Sequence, residues 1–392
     1  MIYINVFNGS YKRLISFGRL CVRVLLLGWN ESVIDDITDI CDLSQSHISL
    51  RSGESRFSGS LVIHESALEY SLSLRKIKIL VGVTDGTDAY YYSMGVMYIS
   101  AVSTDGDIIT LTLIDKFDIL KGNTKLCYES AQLQIPGSEK LYLLDDAAIA
   151  AGNGIKIGNC IRDLLSTPIG NGLLLDPVMP LIDKEFDDIS LEKQIVIGGG
   201  FYPGAAIREI AQTYMYNTYY DRDGHLKVER SLEDDRYYLS PSWEFGEDEM
   251  TDFDLSFDDN SCINAQRVTG TDINGCFHSF TAYNNNPRSP LRTSLIGIRR
   301  ADDVEIANGN SDRKCEMYAR YLLRHKTAAC VNARFSSLVI PHILPDRPIV
   351  LPAAGKRERY IVSSVNIPLG GGNMSVEAAS VEYLPTEEGN HE

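Results

Sequence analysis

The hydrophobic pattern of this chain changes period twice along its length, and that change limits its fold more than any single motif does. Between about 20 and 120, apolar and polar residues alternate. In "RFSGSLVIHES", Phe57, Leu61 and Ile63 fall on one face and Ser58, Ser60 and His64 on the other. Leu20, Val22, Val24 and Leu26 alternate likewise, as do "KIKILVGV" and "DIITLTLID", with turn signals at Asp85-Gly86 and Asp105-Gly106. Successive side chains of a strand point to opposite faces, so this block predicts a small antiparallel barrel or sandwich. From about 145 to 235 the period is helical: Ile157, Cys160, Ile161, Leu164 and Leu165 make one stripe, and Ile207, Ile210, Ala211 and Tyr214 another. The second stripe runs into "NTYYDRDGHLKVERS", a predicted hairpin turning at Asp223-Gly224, while Pro177 and Pro180 mark surface connections. From about 250 to 385 alternation returns in "FDLSF", "RYIVSSVNI" and "MSVEAASVEYL". One helix interrupts it, with Cys315, Tyr318, Ala319, Leu322 and Leu323 on one face. The expected class is α+β, mostly β. Two barrel-like antiparallel β domains, 1-125 and 250-392, flank a mixed α/β middle region, 126-249, and the second domain carries the inserted helix and a short C-terminal tail.

The 392 residues suffice for two or three domains, and 44% hydrophobic with 23% charged residues is ordinary globular composition. With 37 basic and 53 acidic residues the net charge is −16, so the term that drives nonspecific nucleic-acid binding is missing and DNA is not expected as a ligand. Eight cysteines are scattered without a C-x-x-C pair, which predicts free thiols in a reducing compartment rather than a zinc site. "LISFGRLCVRVLLLG" is interrupted by Arg19 and Arg23 and reads as a strand, not as a membrane span or leader; the chain is expected to be soluble and unprocessed.

Several stretches imitate catalytic or binding motifs, and each lacks a necessary part. Gly198, Gly199, Gly200 and Gly204 precede a helix as in a phosphate loop, but Ala205-Ala206 stand where an ammonium and a hydroxyl would meet the phosphate. With Pro203 in the first turn, this reads as a bend between structural pieces. "DRDG" resembles a calcium loop, yet that alignment puts Tyr219 and Arg230 at the first and last ligand positions, so a hairpin accounts for it better. His64 begins a zinc-protease-like "HES", but Leu68 replaces the second histidine. Cys262, Cys276 and His278 would need a fourth ligand gathered by the fold. Eight carboxylates between Glu244 and Asp259 are read as a solvated edge strand in preference to a catalytic pair, and no serine-nucleophile elbow is present. The Asn-x-Ser triplets at Asn8, Asn30 and Asn373 carry meaning only in a secreted protein. No catalytic, cofactor-binding or metal-binding residue is expected, and no cofactor.

Phrases in a fixed order nevertheless resemble one family, the baseplate hub proteins of phage tails, including the hub-like N-terminal part of tail-tip proteins of non-contractile tails. "DITDICDLSQSHISLRSGESRFSGSLVIHE" is similar to the family's opening. "YYYSMGVMYISAVSTDGDIITLTLID" resembles its most recognisable phrase, with Gly95, the turn Asp105-Gly106 and the closing Asp115. "AAIREIAQTYMYNTYYDRDGHLKVERS" matches the next, with Asp223-Gly224 at the hairpin tip; "NAQRVTG" ends in Gly270, and "IPHILPDRPIVLP" holds a turn at Pro345-Asp346. The resemblance spans about 20 to 385, except that 121 to 195 match no phrase and Arg347 replaces a glycine-like neighbour. It implies a structural, non-enzymatic homotrimer whose two related domains alternate in a pseudo-sixfold ring, joining a sixfold tail tube to a threefold tip. The implied partners are the tail tube or distal tail protein, the tape-measure protein and tip, spike or receptor-binding proteins, with DNA only in transit and no membrane binding. The implied location is the virion tail tip, after synthesis in the bacterial cytoplasm. A peptidoglycan-degrading tail-tip enzyme and a host-surface adhesin are the alternatives.

Overall fold

The computed structural model describes residues 19–64, 72, 75–84, 89–122, 140–142, 156–166, 168–170, 173–190, 195–197, 202–230, 240–257, 262–272, 275–287, 289–306, 311–328, 331–353 and 356–380. The fold is α+β and mostly β. Its residues fall into two compact units, one made of 1–231 with 339–341 and 366–373, the other of the remainder. The turn at Asp85-Gly86, Gly198 to Gly200, Leu68, Asn8, Cys127, Cys330, Asp258 and Asp259 lie outside the described residues.

In the first unit the alternating block forms β1 (Arg19–Leu27), β2 (Val33–Asp36), β3 (Cys41–Arg51), β4 (Phe57–His64), β5 (Lys76–Thr84), β6 (Ala89–Asp105) and β7 (Ile108–Asp115). Their spatial order is β3-β4-β7-β6-β5-β1-β2, every pair antiparallel. No ladder among the described residues closes this sheet on itself. Alternation explains the burial: Phe57, Leu61 and Ile63 are buried while His64 is exposed, and Val22, Val24 and Leu26 of β1 are buried beside exposed Arg23. Each such side chain contributes about 1.5–3 kcal/mol by leaving water. The long β6 pairs with β5 through its first half and with β7 through its second. Between Lys78 and Leu80 its register slips, so that Met94 and Gly95 both face Ile79. Gly95 has φ +119 there, and a Cβ on it would lie 2.8 Å from the Phe57 ring. Only glycine meets both demands.

A short helix, α1 (Lys116–Leu120), follows β7. After it come β8 (Lys140–Tyr142), α2 (Ile157–Leu165), β9 (Pro168–Gly170), β10 (Leu173–Leu174), β11 (Leu181–Ile182), α3 (Lys184–Asp187), β12 (Ile195–Ile197), α4 (Pro203–Thr213), β13 (Tyr216–Tyr220) and β14 (Leu226–Arg230). The two helical stripes meet in one core, where Ile157, Cys160, Ile161, Leu164 and Leu165 pack with Ile207, Ile210, Ala211, Tyr220 and Val228. Phe117 and Leu120 of α1 belong to the same core. Pro203 opens α4, where its missing N–H costs no hydrogen bond. A Cβ at Gly204 would sit 2.8 Å from the Leu120 carbonyl carbon, so this glycine admits a neighbouring backbone rather than a phosphate.

In the second unit, β15 (Trp243–Glu244), β16 (Thr251–Phe257), β17 (Ala265–Thr271), β18 (Phe277–Tyr283), β19 (Val304–Glu305), α5 (Asp312–Ala328), β20 (Val331–Leu338), β21 (Pro348–Ala353), β22 (Lys356–Pro368) and β23 (Asn373–Ser380) follow in sequence. One sheet runs β16-β20-β23-β22 with β21 and β15 continuing from β22; a smaller one runs β18-β17-β19. Helix α5 covers the smaller sheet, with Cys315, Ala319 and Leu323 fully buried against Val268 and Ala282, and Tyr318 and Leu322 packed at the rim. Truncating Leu323 to Ala empties that seam and is expected to lower unfolding stability by about 2–5 kcal/mol in denaturant melts, whereas Met317→Ala on the exposed side stays within about 0.5 kcal/mol.

Candidate functional site

The densest buried chemistry in the first unit lies where the β13–β14 hairpin tip meets the strands. The β1–β2 loop places Glu31 in the left-handed region, φ 62, which turns its carboxylate inward. Lys76 at the start of β5 and Lys116 at the start of α1 are only 2% and 3% exposed. Isolated charges at such depth would cost several kcal/mol each, so their partners decide whether the fold tolerates them. Lys76 Nζ donates to the Trp29 carbonyl and to Glu31 Oε1, both at 2.9 Å, and lies 4.8 Å from the Trp29 ring centroid. Lys116 Nζ uses its three hydrogens on Glu31 Oε1 at 2.5 Å, Asp176 Oδ1 at 3.2 Å and the Gly224 carbonyl at 2.7 Å. Asp176 also accepts from the Val178 N–H at 3.0 Å and the Tyr220 hydroxyl at 2.5 Å. Two carboxylates and two ammonium groups thus balance. Burial pulls the Lys76 ammonium below its ordinary range, with Lys116 adding to the effect, while burial and then the Asp176 charge push the Tyr220 hydroxyl far up.

The hairpin tip reaches this cluster by local design. Asp221 Oδ1 accepts from the N–H groups of Asp223 and His225 at 2.9 and 3.0 Å, closing the turn on itself. Gly224 takes φ +87, and a Cβ there would stand 2.5 Å from Glu31 Oε2 and 3.0 Å from Val96 Cγ2. Asp223 pairs with Lys78 at 2.9 Å, and the Ser93 hydroxyl donates to the Arg222 carbonyl at 2.5 Å. "DRDG" is therefore a docked hairpin tip whose carboxylates serve backbone and lysine.

Asp115, fully buried, sits one residue from the cluster. Its carboxylate accepts from the N–H groups of Arg56 and Phe57, both at 3.0 Å, and of Phe117 at 2.7 Å, capping α1 and tying it to β4. Burial pushes this carboxyl up to about 7, with the three N–H donors opposing the rise.

Of the positions that carried the family phrases, Gly95, Asp115, Asp223 and Gly224 lie around this cluster in the first unit. Asp105 and Gly106 lie elsewhere, at the exposed β6–β7 turn. In the second unit Gly270 is buried in β17 opposite His278. Pro345-Asp346 forms a turn in which Asp346 has φ 64 and donates its N–H to the Val362 carbonyl at 2.8 Å. Glu31, Lys76, Lys116, Asp176 and Tyr220 were not distinguishable in the sequence. The alternation of "KIKILVGV" points Lys76 outward, and only the loop folded over the strand start buries it.

The other imitation motifs separate in space. Cys262 lies before β17, while Cys276 lies at the far end of the β17–β18 hairpin, near His278. Among the described residues no three metal-binding side chains gather. Burial pushes the thiols of Cys41 and Cys160 up to about 12 and about 11, away from nucleophilic use. The acidic stretch forms β16, exposed along its whole length. No helix among the described residues is long and apolar enough to cross a membrane.

Lys116→Met leaves Glu31 and Asp176 facing each other without their shared cation and is expected to cost about 3–5 kcal/mol, part of which returns in the double variant with Glu31→Gln, as read in a double-mutant cycle. For Asp115 the folded carboxyl titrates near about 7 against an ordinary 3.8, so its contribution is complete below the lower value and is lost as pH rises through the upper. The stability deficit of Asp115→Asn relative to wild type is therefore largest near pH 4 and narrows by about 1.4 kcal/mol per unit up to pH 7, measured by urea unfolding across that range.

No family model matches the chain, and no curated protein matches it in sequence. Solved structures do match. A tail protein from Neisseria meningitidis superposes at a TM-score of 0.59 and 11% identity, over 93% of this chain and 98% of that one. A prophage tail protein from Shewanella oneidensis gives 0.54 and 11%, over 93% and 100%, and a prophage tail protein from Listeria monocytogenes 0.54 and 12%, over 91% and 94%. The chain has the fold of these phage tail proteins.

Proposed function

We propose that this chain is a non-enzymatic structural protein of a phage tail tip or baseplate. Three copies form the hub ring that adapts a sixfold tail tube to a threefold tip and leaves a passage for DNA. The observation that carries this reading is a fold shared over 93% of the chain with proteins described as tail proteins. The order of the sequence phrases supports it independently, as does the chemistry of the buried groups, whose charges are spent on one another and on backbone. A net charge of −16 suits a wall past which a polyanion slides. Its partners are further copies of itself, the tail tube or distal tail protein, the tape-measure protein and the tip or receptor-binding proteins; its place is the virion tail tip, after synthesis in the bacterial cytoplasm.

Mass measurement of the purified chain, alone and with its neighbouring tail proteins, is expected to give a species of three copies, at the latest once those neighbours are present. A zymogram of the same material is expected to show no clearing. A strictly monomeric chain that ignores tail proteins, or clearing that vanishes on substitution of a glutamate or histidine, would refute the reading.

A further inference from the structure

Strand β16 ends its sheet, pairing only with β20 among the described residues. Leu255 stands opposite Ala333 and Phe257 opposite Val331, so the apolar row of β16 continues the row of β20 that holds buried Ala333 and Phe335. That row runs beyond the core: Phe253, Leu255 and Phe257 are 37%, 43% and 54% exposed. A bulge between Thr251 and Asp254, with Asp252 at φ 54, discourages hydrogen bonding along the free edge. It leaves the apolar face open. Beside that face stand Glu247, Asp248, Asp252 and Asp254, to which no ion pair reaches among the described residues. Two β16 strands meeting around a twofold axis would bring these carboxylates together, which is unfavourable.

The complementary chemistry lies elsewhere in the same unit. Between Arg292 and Arg300, Leu295 and Ile298 are 57% and 65% exposed, flanked by Arg292, Arg299 and Arg300. Arg300 is half exposed and reaches only Asp303, at 3.7 Å. The segment is held firmly. Fully buried Asn264 donates to the carbonyls of Leu291 and Gly297 at 3.0 and 2.7 Å and accepts the Arg299 N–H at 2.7 Å. Both surfaces are thus presented by ordered backbone, which keeps the entropy cost of joining them low.

We infer that the apolar, acidic face of β16 docks the apolar, basic segment Arg292–Arg300 of a second copy of this chain. Two different surfaces make the contact, which is the heterologous kind that closes into rings. The inference rests on the proposed self-assembly and names the surface that performs it.

The test uses the full chain, with association measured by sedimentation at low and moderate salt, alone and with neighbouring tail proteins. Asp248→Arg with Asp254→Arg, and separately Arg299→Glu with Arg300→Glu, are each expected to weaken self-association at least about tenfold. All four changes in one chain are expected to restore it. Ile298→Arg, on a side chain already exposed, should weaken association with an unchanged thermal melt. Wild-type oligomers that persist in every variant overturn the docking surface and leave the hub reading standing. So does a chain that assembles only with its tail neighbours and is indifferent to these substitutions. Charge-dependent closed dimers would uphold the surface and refute the threefold hub.

Discussion

The Lys116 ammonium holds the first unit together. It is buried at the start of α1, and its three donors go to a loop glutamate, to an aspartate from the middle segment and to the backbone carbonyl of a hairpin tip. A charge in that position is tolerable only if all three partners arrive together. Strand sheet, middle segment and hairpin are thereby coupled, and the glycine at the tip lets Glu31 come close enough to share the cation. Asp115 performs the matching task with its three backbone N–H donors, turning the end of β7 into the start of α1. Groups committed in this way bind and cut nothing. They fix relative position, which is what a tail component has to supply.

The parts of the fold that depend on near neighbours were legible in the sequence. Alternation located β1 and β4, and the stripes of α2, α4 and α5 follow from spacing alone. The turn at Asp223-Gly224 was legible as a turn because Asp and Gly favour one wherever they occur. Its purpose was not, since the contacts that explain Gly224 come from Glu31 and Val96, far away in the chain. The same holds for the cluster: Lys116 is separated from Glu31 by 85 positions and from Gly224 by 108. No periodicity encodes such a meeting. Lys76 shows the limit most clearly, because its own strand pattern predicts a solvent-facing side chain.

In the second unit, the acidic stretch from Glu244 onward reads correctly as an edge strand. Its exposed apolar row was hidden, because phenylalanine and leucine alternating with aspartate look the same whether the apolar face is covered or bare. Gly204 teaches a similar lesson. A glycine ahead of a helix suggests a phosphate in sequence, and in space it makes room for the Leu120 backbone.

The most direct measurement is imaging of the chain in its assembled particle by electron cryo-microscopy. The account predicts three copies arranged around a central passage at the end of a tail, each with the hairpin tip seated on the buried lysine. A solitary molecule organised around a ligand-filled cleft, without tail companions, would contradict it.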